Sequence, residues 1–166
     1  VVSISKLDEL CSIKGVDAVN YRYVIPTNFE IEKDGIFSGN IITYDIEGLN
    51  KVSYIEETSV PDNVIKSYLP VGFANRHNVK AGENLTLYVN GHEVDTVIKA
   101  IISSPETLFG DKDFMSMHEG YSYCNFYVDN NGLDSVLHFS DTANQWLFYF
   151  DDNLIIGTTE YYHLIN

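Results

Sequence analysis

Apolar and polar residues alternate most cleanly along "NLTLYVNGHEVDTV", residues 84 to 97, where two alternating runs meet at Asn90-Gly91. Asn-Gly supplies the two positive-φ positions that a two-residue turn needs to follow strand twist, so the pattern predicts a β-hairpin. Pairing outward from the turn sets Val89 opposite His92, Leu87 opposite Val94 and Leu85 opposite Thr96. Opposed residues share a face. Leu85, Leu87, Val89 and Val94 therefore lie on one side and Thr86, Tyr88, Glu93 and Asp95 on the other, as in a half-buried antiparallel sheet. His92 falls at the frayed tip and reads as solvated, not chemical.

The rest of the chain follows from the same periodicities. "SKLDELCSIKG" carries Ile4, Leu7, Leu10, Cys11 and Ile13 near helical spacing, with a Ser5-x-x-Asp8 capping signal and Gly15 as a stop, which predicts an amphipathic helix. "VDAVNYRYVIP" reads as an extended segment ending at Pro26, and "NFEIEKDGIFSGNIITYDIE" as a hairpin about Asp34-Gly35. Residues 50 to 70 are mixed and predict irregular structure punctuated by Pro61 and Pro70. "VGFANRHN" predicts a short helix before the 84–97 hairpin, whose second strand runs on through "IKAIISS" to Pro105. "ETLFGDKDFMSMHEG" reads as a long acidic loop. "YSYCNFYV" reads as a strand with Ser122, Cys124, Phe126 and Val128 on one side and Tyr121, Tyr123, Asn125 and Tyr127 on the other. "GLDSVLHF" predicts a short helix, "NQWLFYF" a central strand apolar on both faces, and "LIIGTTEYYHLI" a last strand. Hairpins mixed with short helices make the expected fold α+β with a largely antiparallel sheet.

Composition narrows the function classes. At 166 residues the chain fits one domain with a sizeable core. Its 24 acidic and 10 basic residues give a net charge of −14 with no basic run, which argues against nucleic acid and against docking to anionic lipid. Cys11 and Cys124 fall in contexts that read as buried, and neither belongs to a C-x-x-C pair, so a disulfide is not expected. There is no signal peptide pattern and no apolar run near the ~20 residues of a membrane helix, so the chain reads as excised from something larger.

Chemical motifs are sparse. No P-loop and no G-x-S-x-G elbow is present, and the His-Glu pairs at 92 and 118 lack the second histidine of a zincin motif. A zinc site from His118, His138, His163 and Cys124 would need tertiary coincidence, and the acidic turns at 111 and 151 lack a full calcium ligand set. Glu56-Glu57 offers paired carboxylates, although a glycosidase needs a set separation across a cleft. No catalytic residue, cofactor site or metal site is therefore assigned. Tyr121, Tyr123 and Tyr127 form the best candidate contact surface, because tyrosine is favoured between proteins; alternatively they cover a second layer of the same core.

The order of features from 70 to 109 also carries a resemblance. Phe73-Ala74 in a short helix, the turn Lys80-Ala81-Gly82-Glu83, the Asn90-Gly91 hairpin and the exit Ser104-Pro105-Glu106 resemble the extracytoplasmic domains of FtsX-like and MacB-like ABC transporter permeases. "KGVDAVNYRYVI" looks like that family's lead-in from its first transmembrane helix, and "CNFYVDNNGLDSVLHF" like its following strand and helix. The acidic stretch 110–120 and the tail after Asp152 depart from the pattern. The resemblance implies a MacB-like periplasmic core fold and a single extracytoplasmic domain over 1–166, with room for two lobes, in a bacterial membrane transporter. It also implies no catalysis here, with ATP hydrolysis in a separate cytoplasmic subunit. Expected partners are the transmembrane helices of the same permease, that ATPase, and a substrate or extracellular protein not identified by the sequence. A secreted or surface-anchored binding module is the alternative, followed by a carboxylate-dependent hydrolase.

Overall fold

The computed structural model describes residues 2–32, 34–44, 52–104 and 123–150. A 3-10 turn at Ile4–Lys6 is followed by α1 (Leu7–Cys11), β1 (Val16–Arg22), β2 (Val24–Ile31), β3 (Gly35–Tyr44), β4 (Ser53–Glu57), β5 (Lys66–Pro70) and α2 (Val71–His77). Then come β6 (Asn84–Val89), β7 (His92–Ser103), β8 (Tyr123–Asp129), α3 (Asn130–Leu137) and β9 (Gln145–Phe150). Two compact units result, one from Val1–Tyr23 with Phe139–Asn166, the other from Val24–His138.

The larger unit is a closed barrel. Its strands neighbour one another in the order β7-β5-β8-β3-β2-β6, and β6 returns to β7 to close a ring of six, with β4 added beside β7. Pairings β3–β8 and β5–β7 are parallel; β2–β3, β2–β6, β6–β7 and β5–β8 are antiparallel. Most pairings are antiparallel as expected, but two parallel ones and the closure make the sheet a mixed barrel where a simple sheet was expected. Closure leaves few unpaired edges, the liability of an open sheet.

The 84–97 hairpin forms in the predicted register, with Leu87 opposite Val94 and Asn90 and Gly91 at φ 50 and 80. β6 also pairs with β2, so Leu85 and Leu87 meet Ile31 and Phe29 on the inner face. Phe29, Ile41, Leu85, Leu87, Ile98 and Phe126 are all 0% exposed and form the barrel core. Phe73 of α2 packs on Phe29 and Phe37 at ring separations of 5.6 and 5.3 Å. Such tilted and edge-on contacts suit the quadrupoles of aromatic rings.

A β-bulge redirects β7. Ser67 pairs with Ile98 but Tyr68 pairs with Ala100, which makes Lys99 the extra residue and moves Ala100 to the face opposite Ile98. Ala100 and Ile102 then join Ile42, Tyr44, Tyr68 and Tyr127 in a second apolar cluster on the outer face. The bulged carbonyl is satisfied by Thr58 N–H at 3.0 Å. The Lys99 ammonium reaches Thr58 O at 2.7 Å and Glu57 at 2.8 Å. Close approach of β3 and β8 needs Gly39, since a Cβ there would lie 1.8 Å from Cys124 O.

Several expectations change. Residues 50–70 hold β4 and β5, not an irregular stretch; β4 pairs with β7 and β5 with β7 and β8, contacts too distant in sequence to be read locally. Pro26 lies inside β2 instead of ending a strand, and β6 joins β2 only from Asn28 onward, where each residue can donate. The first helix is shorter, because Ser3, not Ser5, caps the 3-10 turn, and none of its residues is buried. Cys11 is accordingly exposed, Cys124 is buried, and neither is in a disulfide. β9 pairs only with β1 among the described strands and is not central. The long acidic loop and the last strand lie outside the described residues.

Candidate functional site

Of the three tyrosines proposed as a contact surface, Tyr121 and the side chain of Tyr123 lie outside the described residues. Tyr127 is 3% exposed, which matches the alternative that it covers a second layer of the same core. β8 sits between β3 and β5, and its outward face meets Ile42 and Tyr68 in register, so the second apolar layer covers Tyr127. Its hydroxyl shares a hydrogen bond with Ser104 Oγ at 3.1 Å. Tyr44 packs edge-on against it at 6.3 Å, and burial, followed by a hydrogen bond to Tyr68, holds the Tyr44 phenol far above its ordinary range. These groups are structural.

Two concave surfaces on the barrel unit are lined by described residues. Where β2, β6 and β7 adjoin, a groove of about 340 Å³ is lined by Glu30, Glu32, Asn84, Thr86, Tyr88, Glu93 and Asp95. Strand alternation puts it there, since Glu30 and Glu32 alternate with core residues Phe29 and Ile31, as Thr86 and Tyr88 do with Leu85, Leu87 and Val89. Tyr88 O–H donates to Glu30 Oε2 at 2.7 Å, and Thr86 O–H to Asp95 Oδ1 at 2.9 Å. The Glu30 hydrogen bond, with lesser contributions from desolvation and neighbouring carboxylates, raises the Tyr88 phenol to about 12. The groove is a negatively charged recess with a tyrosine held across it.

The second cavity, about 300 Å³, is lined by Ile31, Asp34, His77, Asn78, Lys80 and Glu83. Asn78 ends α2 in the left-handed region at φ 52, which turns the chain into the cavity wall. His77 Nδ1 lies 2.5 Å from Asp34 Oδ2, and its ring packs on Phe73 and Phe37 at 4.4 and 4.6 Å. This arrangement ties α2 to the β2–β3 turn.

Other sequence candidates are dispersed. Glu56 accepts from Ala81 N–H at 3.1 Å and Glu57 pairs with Lys99, so this carboxylate pair serves the fold. No group of three metal-ligating side chains is gathered among the described residues. His118 and His163 of the four-residue zinc idea lie outside them. His92 is exposed at the hairpin tip. Sequence reading placed Tyr88, Glu93 and Asp95 on a wet face, but only the β2–β6 pairing adds Glu30 and Glu32 to it; the alternation of "FEIE" was the available signal.

No family model matches the chain, and no curated protein does. Solved structures do. The periplasmic region of MacB from Actinobacillus actinomycetemcomitans is similar over 94% of this chain and 68% of that one, with TM-score 0.63 and 8% identity. A domain described as that of a permease protein from Porphyromonas gingivalis is similar over 93% and 69%, with TM-score 0.57 and 10% identity. The extracellular domain of the noncanonic ABC-type transporter YknZ from Gram-positive bacteria gives 92% and 74%, TM-score 0.55 and 13% identity. The chain therefore shares its fold with the extracytoplasmic domains of ABC-type transporter permeases of the MacB and YknZ kind.

Proposed function

We propose that this chain is the extracytoplasmic domain of an ABC transporter permease, set at the outer face of the cell membrane. A separate cytoplasmic ATPase subunit hydrolyses ATP. Movement of the permease's own transmembrane helices then reaches this domain, which meets a substrate or an extracellular protein through contacts that differ between its states. The likeness to three permease domains over more than nine-tenths of the chain carries the reading.

No described helix is long and apolar enough to cross a membrane. The permease reading is tested in the flanking gene sequence. Apolar runs of ~20 residues on both sides are expected there. A cleavable signal peptide upstream with a stop codon soon after residue 166 would overturn the reading in favour of a secreted binding module.

A further inference from the structure

The barrel unit is a single insertion into the smaller unit, which the chain leaves at Tyr23 and rejoins at Phe139. These two residues touch. Their rings stack with centroids 4.4 Å apart and planes 24° from parallel, and Tyr23 O–H donates to Ser140 O at 2.5 Å. Tyr23 is 8% exposed.

The ribbon behind this contact is fastened by side chains at its near end. β1 and β9 pair from Arg22 with Gln145 to Val16 with Phe150, so Arg22 and Gln145 form the end beside the insertion. At that end Arg22 Nε–H donates to Gln145 Oε1. Tyr21 meets Tyr23 at 6.4 Å and Trp146 at 5.7 Å, extending the aromatic row from Phe139 along the ribbon. At the other end the register slips between Val16 and Ala18, and Phe150 is 39% exposed. Side-chain contacts thus hold the end where the chain departs and returns.

We infer that Tyr23 is a positioning residue that clasps the outgoing and returning chain, so that β1 and β9 move as one two-stranded stem and a displacement of either strand is delivered to both crossings. The purpose of such a clasp rests on the permease reading; its geometry does not. A two-stranded ribbon is marginal alone, and without the clasp its inner end should fray.

Hydrogen exchange on the full chain tests this, comparing wild type with Tyr23→Ala and Tyr23→Phe. In Tyr23→Ala the exchanging amides of Asn20–Arg22 and Gln145–Leu147 should speed up about tenfold, while those of Leu87 and Ile98 keep their rates. Tyr23→Phe retains the stack and loses the Ser140 hydrogen bond, so a smaller acceleration confined to the same amides is expected. Unchanged ribbon exchange, or an acceleration shared equally by the barrel amides, would overturn the inference. If Tyr23→Ala does not fold, Tyr23→Phe decides by the same criteria. A failed permease reading would appear in the flanking sequence and leave these rates untouched, so the two failures are distinguishable.

Discussion

The hairpin β6–β7 and the ribbon β1–β9 are both antiparallel pairs, but they bury their side chains to very different degrees. Leu85, Leu87 and Val89 of β6 are 0% exposed, whereas Phe148 and Phe150 of β9 are 38% and 39% exposed. β9 is the more apolar strand, reading "QWLFYF" against "NLTLYV". The difference lies in closure. β6 has β2 on one side and β7 on the other within a ring whose inner faces bury one another, while β9 has β1 as its described partner. Burial is set by how many neighbours a strand acquires, and only secondarily by its own hydrophobicity.

Truncating the same residue type in the barrel and in the ribbon should widen that contrast. Phe126→Ala empties the barrel core and should cost about 4 kcal/mol in urea unfolding; Phe148→Ala should cost about 1 kcal/mol. Equal losses would show that the ribbon is as much a core element as the barrel. Gly39→Ala should follow at about 2–3 kcal/mol, because its Cβ would meet backbone, which gives less than a side chain does. A neutral result would mean that β3 and β8 can separate without disturbing the ring.

A smaller effect is expected at the hairpin turn. Gly91 has φ 80 with open space around its Cα, so Gly91→Ala should cost about 1 kcal/mol through backbone strain alone, read from the thermal midpoint. The smallest concerns the acidic groove. Because the folded Tyr88 value is raised from 10.0 to about 12, folding favours its protonated form. Its hydrogen bond to Glu30 should therefore be intact below pH 10 and lost as pH rises toward 12. Ultraviolet titration should show one phenol of the wild type ionising near 12 that is missing in Tyr88→Phe. If the two curves coincide up to pH 12, the hydrogen bond does not hold in solution.

Local rules carried the hairpins, α2 and α3, since each depends on residues within a few positions: Asn90-Gly91, Asp34-Gly35, and the stop at Asn78. They missed β4 and β5, whose partners lie roughly thirty to sixty residues away in β7 and β8. They also left Tyr127 open between a contact surface and a second core layer. The alternation is real, but both faces of β8 are apolar in context, and period two cannot say which face is dry when both are. Of the two surface recesses, the wet half of the hairpin was legible and the contribution of Glu30 and Glu32 was not, because it depends on which strand β6 chooses as its second neighbour.

By itself, then, the sequence determined the hairpin register, the place of Cys124 in a core strand, the acid surface, and the absence of recognisable catalytic motifs. All of these follow from turn chemistry, side-chain alternation or composition. Tertiary structure alone decided that the sheet closes into a mixed barrel, that Lys99 bulges to send Ala100 and Ile102 into a second cluster, and that Tyr23 meets Phe139. These depend on pairings between distant segments, where many partners satisfy the same local pattern. Only the simultaneous burial of all their faces selects among them.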